Sequence, residues 1–184
     1  MRIVVGVSGA SGAPYAHRLL SYLAERDDVE THVVFTKTGR LVWRHEVGSD
    51  PDALGLPIHG HLDMTAPFAS GSTRFDGMAV VPCSAGCMAR IAQGISADLV
   101  GRAADVMLKE KRPVVLCLRE APYSLVHVRN MEQLLLAGAR ILPASPSFYS
   151  GPASTRDLLD TVVGRVLDQL GIANDLVKRW EGMS

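Results

Sequence analysis

Ile3-Val4-Val5-Gly6-Val7 runs straight into Ser8-Gly9-Ala10-Ser11-Gly12 and then into Tyr15-Ala16-His17-Arg18-Leu19-Leu20. An uncharged apolar run that feeds a turn of small residues and then a helix-like stretch reads as the start of a βα unit with a buried strand. Such a turn leaves backbone N–H groups facing outward, and the lack of large side chains lets a phosphate approach them. The glycines fall at 6, 9 and 12, which gives neither the G-x-G-x-x-G spacing of a dinucleotide site nor a Walker loop. The bland alternative is a tight strand-to-helix turn without a ligand.

The second strand sharpens the choice. A dinucleotide site wants an acidic side chain about 20 residues further on, at the end of that strand, to hold a ribose hydroxyl. Here His32-Val33-Val34-Phe35 ends in Thr36-Lys37. The reading therefore moves from NAD toward a mononucleotide such as FMN, while Lys37 leaves NADP open.

Along the rest of the chain, strand-like runs at 2–7, 31–36, 78–82, 113–118 and 140–142 alternate with helix-like segments near 13–25, 38–46, 85–93, 98–110, 124–137 and 154–170. This alternation predicts right-handed βαβ units in an α/β fold, a three-layer αβα sandwich with a mainly parallel sheet of flavodoxin-like or Rossmann-like type. No linker or repeat divides the chain, so residues 1–184 read as one domain. The stretch 47–77, broken by glycines and prolines, is the irregular part; it either closes over a site or is an ordinary surface excursion.

With 19 basic and 19 acidic side chains the chain has no formal net charge, which argues against nucleic acid or an anionic membrane as partner. The apolar runs are strand-sized and no signal-peptide pattern opens the chain, so the expectation is a soluble, cytoplasmic protein. Three cysteines argue against a secreted disulfide framework, and the lone C-x-x-x-C of Cys83 and Cys87 argues against a zinc site. The 47% hydrophobic content is compatible with oligomerisation.

In open α/β sheets ligands sit outside the carboxyl ends of the strands. The residues found there are Gly9-Ala10-Ser11, Thr36-Lys37, Cys83-Ser84-Ala85-Gly86, Arg119-Glu120, and the Pro143 to Tyr149 segment. Ser84 reads as an N-cap, which is either a plain cap, the better reading by itself, or one whose free N–H groups bind a polar edge such as part of a flavin. Arg102, Asp105 and Lys109 share one helix face, which is either a small-phosphate site with Arg119 or a solvated face. Glu46 and Glu120 are the carboxylates best placed for proton transfer if burial raises their pKa, the commoner alternative being an ordinary surface ion pair. His59 and His61 read as exposed loop histidines rather than ligands.

Taken together the residues resemble a family, the UbiX-type flavin prenyltransferases. The matching text is Gly9-Ala10-Ser11-Gly12, Ala66-Pro67-Phe68-Ala69-Ser70-Gly71-Ser72, Pro82-Cys83-Ser84, Arg102-Ala103-Ala104-Asp105-Val106 with Lys109-Glu110, Arg119-Glu120-Ala121-Pro122, and Pro143-Ala144 with Phe148-Tyr149. The resemblance implies an enzyme that takes reduced FMN and dimethylallyl phosphate, joins the prenyl unit to flavin N5 and C6, and supplies prenylated FMN to a partner decarboxylase. It implies no metal, and a homododecamer with sites shared between subunits.

By motif, Gly9, Ala10, Ser11, Thr36, Ser84, Ala85, Gly86, Cys87 and Arg119 would hold the flavin nucleotide. Arg102, Lys109, Arg119, Glu120, Tyr149 and Arg165 would surround the prenyl phosphate, with Ser11 and Glu46 where proton movement is expected. Two positions depart from the family pattern: Met64 stands where some members carry a tryptophan lining the prenyl site, and Cys87 where a threonine is usual. Two rival readings are an FMN-dependent cysteine decarboxylase-like enzyme and an FMN-binding carrier without transferase activity. Gly86, in the place an essential asparagine would need, counts against the first, and Met64 favours the second.

Overall fold

The computed structural model describes residues 1–180 and Gly182. Among these, six strands form one parallel sheet: β1 (Arg2–Val7), β2 (Glu30–Phe35), β3 (Ile58–His59), β4 (Gly77–Cys83), β5 (Val114–Leu118) and β6 (Arg140–Pro143), in the spatial order β3-β2-β1-β4-β5-β6. This is the doubly wound 3-2-1-4-5-6 order. If the two-residue β3 is set aside, the remaining strands follow the flavodoxin order 2-1-3-4-5, so the sequence expectation of either type is met. In both, the direction of winding reverses between β1 and β4, and the crevice at their carboxyl ends is where ligands bind.

The helices are α1 (Ala13–Ala24), α2 (Lys37–Glu46), α3 (Ala85–Ala92), α4 (Leu99–Lys109), α5 (Leu125–Leu136) and α6 (Thr155–Leu170). Because strand side chains alternate between faces, two separate cores form. Val4, Val34, Met78, Val80 and Leu116 pack against α3, α4 and the inner face of α5. Ile3, Val5, Val33, Phe35, Ala79, Val81 and Val115 pack against α1, α6 and Trp43 of α2. The central strands β1, β4 and β5 carry almost no polar residue because both faces are covered, the pattern expected of a parallel sheet, whereas β2 and β6 begin at the polar Glu30 and Arg140.

The irregular stretch holds more structure than its glycines and prolines announced. It contains two short 3-10 turns, Pro51–Leu54 and Pro67–Ala69, and strand β3, which pairs with β2 at Ile58 and His59. His59 is consequently not an exposed loop residue. Its Nε2 lies 2.8 Å from His32 Nδ1, the two rings stack at 5.1 Å, and Phe68 meets His59 edge-on at 4.9 Å. A two-residue strand offers no alternation to detect, so a tertiary aromatic cluster rather than local pattern fixes this segment.

Candidate functional site

The crevice between β1 and β4 is tied together by one buried hydroxyl. Ser8 Oγ donates to the Pro82 carbonyl and accepts from the Ser84 N–H, both at 2.8 Å, so the two strand ends that flank the crevice are locked in register. Sequence reading passed over Ser8. Its only signal was a hydroxyl at the end of an otherwise apolar strand.

Three segments reach this edge with backbone donors uncommitted. Among the described residues the N–H groups of Gly9, Ala10 and Ser11 have no protein acceptor. Thr36 caps α2 by accepting from the Gly39 N–H at 3.0 Å, which leaves the Lys37 and Thr38 N–H groups at its start. A side chain at Gly39 would collide with the Val7 carbonyl, so glycine is required for α2 to begin this close to β1. Ser84 caps α3 by accepting from the Cys87 N–H at 3.2 Å, leaving Ala85 and the exposed Gly86 with free N–H groups; a Cβ at Gly86 would have nothing nearer than 4.0 Å. The result is an edge lined by N–H donors without protein acceptors among the described residues.

The start of α1 departs from expectation. Gly12, at φ 118, caps the helix without a side chain, and the carboxylate of Glu46 takes that place: its Oε2 accepts from the Gly12 and Ala13 N–H groups at 2.7 and 2.8 Å. The first turn of α1 is thus already supplied with an anion by the chain itself. A dinucleotide pyrophosphate laid on this helix start in the usual way would meet that charge, which disfavours NADP as well as NAD.

Glu46 corrects a second expectation. Partial burial would raise its pKa, but the Ser11 hydroxyl, the two N–H groups and the nearby Arg119 charge outweigh burial and hold it below the ordinary carboxylate value. It is an ionised acceptor rather than a proton-bearing acid. Arg119, from the end of β5, donates Nε to the Ser11 carbonyl at 2.9 Å, so Ser11 is held from both sides. Beneath the α3 start, the buried thiols of Cys83 and Cys87 are in contact. That contact, with Arg90 beyond it, lowers the Cys87 pKa, and the same contact together with burial raises that of Cys83.

One protomer therefore brings together Gly9, Ala10, Ser11, Thr36, Glu46, Ser84, Ala85, Gly86, Cys87, Arg119 and Glu120, whose side chain accepts from the Ala121 N–H at 3.1 Å. It does not bring together the expected phosphate ring. Arg102 and Lys109 lie on α4, in the layer with α3 and α5. Arg165 lies on α6, on the opposite face of the sheet. Arg102 donates to the Ala69 carbonyl at 2.9 Å and pairs with Asp105 at 3.1 Å, as the shared helix face predicts.

Lys109 pairs instead with Glu110, where α4 ends and Pro113 leads into β5 at the amino edge of the sheet, away from the crevice. Arg165 pairs with Asp168 at 3.0 Å, and Tyr149 is exposed with its ring edge-on to Trp180 at 5.7 Å. Met64 is exposed beside β3. A sheet separates the cations, so no rotamer change within one chain can close them round one small phosphate.

The fold and crevice define a doubly wound α/β protein with a nucleotide-type edge, and the family model described as Flavoprotein matches residues 1–167. The flavin prenyltransferase UbiX of Thermoplasma acidophilum is 44% identical over 183 residues, covering 98% of this chain and 100% of the relative. The dodecameric FMN-dependent UbiX-like decarboxylase of Escherichia coli O157:H7 superposes with a TM-score of 0.95 at 42% identity, over 99% of this chain and 100% of the other. AnUbiX in complex with FMN and dimethylallyl pyrophosphate superposes at 0.94 with 44% identity, over 100% and 98%. The chain belongs to the UbiX-type flavin prenyltransferase family.

Proposed function

We propose that this protein, as one flavoprotein domain, is a flavin prenyltransferase that joins the dimethylallyl unit of dimethylallyl phosphate to N5 and C6 of reduced FMN. The observation that carries the reading is the donor-lined β1/β4 edge, which offers N–H groups from three segments but closes the α1 start to a dinucleotide with Glu46. That combination fits a mononucleotide. The flavin, when bound, supplies the nucleophilic ring atoms, and the prenyl phosphate supplies an allylic carbon with a phosphate leaving group.

Gly9, Ala10, Ser11, Thr36, Ser84, Ala85, Gly86, Cys87 and Arg119 hold the flavin nucleotide in this reading. The ionised Glu46 orients the Ser11 hydroxyl and accepts a proton through Ser11 Oγ. Arg102, Lys109, Arg119, Glu120, Tyr149 and Arg165 receive the phosphate, the cations stabilising charge that gathers on it as it departs. Met64 lines the prenyl end with an apolar side chain.

Because α4 and α6 flank opposite faces of the sheet, we assign the completed site to neighbouring copies in a homododecamer. The exposed apolar side chains of α5, among them Leu125, Val126, Val128 and Leu136, support burial against another subunit. A prenylated-FMN-dependent decarboxylase is the recipient of the product. We place its setting in the cytoplasm; no helix among the described residues is long and apolar enough to cross a membrane.

Release of inorganic phosphate from dimethylallyl phosphate, followed anaerobically, tests the reading. It should require reduced FMN and should fall sharply in Arg165→Gln. Absence both of phosphate release from the monophosphate donor and of pyrophosphate release from the diphosphate donor, or either release without flavin, would overturn it.

A further inference from the structure

Beside the flavin crevice, at the carboxyl ends of β2 and β3, lies a cleft of about 570 Å³ whose cations serve none of the roles above. Phe35 and Thr36 floor it. One wall is the face of α2 carrying Lys37, Arg40 and Arg44, and the other is the end of β3 with His59 and His61.

Positions i, i+3 and i+7 set the three cations in a row on successive turns, about 10 Å from first to last at 1.5 Å per residue. Like charges at this spacing repel, and such a row is normally relieved by interleaved acids. Among the described residues only Arg40 has an acidic partner, Asp52 at 4.0 Å. Its guanidinium is also held over the Phe35 ring at 5.3 Å, which fixes the middle cation. The facing wall is equally set, because the hydrogen bond and stack with His32 hold the His59 ring in place. At the rim Leu41 is 60% exposed, an apolar shelf next to the row of charge.

The cleft is concave and within the size range of small-molecule sites, so it suits a compact anion better than a membrane or a nucleic-acid duplex. A row of three cations matches a chain of phosphates rather than a single one, and the shelf matches a flat apolar group attached to that chain. We propose that this cleft binds a small polyphosphate ester of the nucleoside di- or triphosphate class, with the phosphates along Lys37, Arg40 and Arg44 and the base against Leu41. It is a second site, adjoining the flavin crevice at Thr36 but read by different side chains.

Calorimetric titration of the full-length oligomer, preloaded with FMN, with ATP and with AMP tests this. ATP should bind at least about tenfold more tightly than AMP, and Arg44→Glu should weaken ATP about tenfold or more while leaving FMN affinity unchanged. Lys37→Gln, a milder change on an exposed side chain, should weaken ATP in the same direction. Raising the salt should weaken ATP binding in the wild type, since the contacts are ionic and open to solvent. The proposal is overturned if ATP does not bind, if AMP binds equally well, if both variants leave ATP affinity intact, or if FMN displaces ATP.

Discussion

Replacing Glu46 by glutamine isolates the charge that closes the start of α1. Glutamine keeps a carbonyl oxygen where Glu46 Oε2 accepts from the Gly12 and Ala13 N–H groups at 2.7 and 2.8 Å, so the geometry survives and the charge does not. A hydrogen bond to a charged acceptor exceeds a neutral one by about 1 kcal/mol, and two such bonds share this oxygen. Partial exposure screens some of that, which leaves a loss of about 1–2 kcal/mol near neutral pH. For a chain of this length each kcal/mol shifts Tm by about 2–4 °C, so Glu46→Gln should melt about 2–8 °C lower.

The pH dependence has a fixed sign. The folded carboxyl sits below its ordinary value of 4.5, so its contribution is complete above that value and disappears as pH falls through the folded pKa. The gap in Tm between wild type and variant should therefore be full near neutrality and close in acid. Thermal melts of both proteins across that range decide the matter. An unchanged Tm at neutral pH, or a gap that persists into acid, would refute the assignment of Glu46 as an ionised cap.

Three further perturbations follow from the same structure. The Thr31 hydroxyl is buried without a partner, so Thr31→Val should raise stability by about 1 kcal/mol in urea denaturation. Lys111 ends α4 in the left-handed region at φ 55, with its N–H bonded to the Leu108 carbonyl at 3.0 Å. Lys111→Gly should therefore gain about 0.5–1 kcal/mol, read as a higher Tm; a loss would contradict the strain assigned there. Burial and the neighbouring His32 lower the His59 pKa against a smaller opposing effect of Asp63, so the fold favours its neutral form. Stability should fall as pH drops below the ordinary 6.5 and recover as pH rises through the window beneath that value. Once the pH dependence of intrinsic exchange is divided out, the protection of amides across 58–76 should be lower at about pH 5.5 than at about pH 7.5, and His59→Gln should remove that difference.

The layered fold was readable because it rests on period and composition. Five apolar runs, charged only at Arg2 and Arg140 where two of them begin, read as strands, and the helices between them repeat at the spacing that covers a sheet. The residues at the strand ends were readable for the same reason, since the winding order decides which edge holds the ligand. β3 was not readable, because two residues carry no period and a cluster of His32, His59, Phe68 and Phe75 holds them. The state of Glu46 was hidden too: its burial is local, but the N–H groups that ionise it come from a helix 34 positions earlier. The division of Arg102, Lys109 and Arg165 between two faces needed the handedness of each crossover, which the order of elements in sequence does not display.

Alkylation of reduced flavin by this chain is the central claim. Purified protein incubated without oxygen with reduced FMN and dimethylallyl phosphate should yield extracted flavin heavier by one prenyl unit in mass spectrometry. Recovery of only unmodified FMN, with the diphosphate donor as well as the monophosphate, would contradict it.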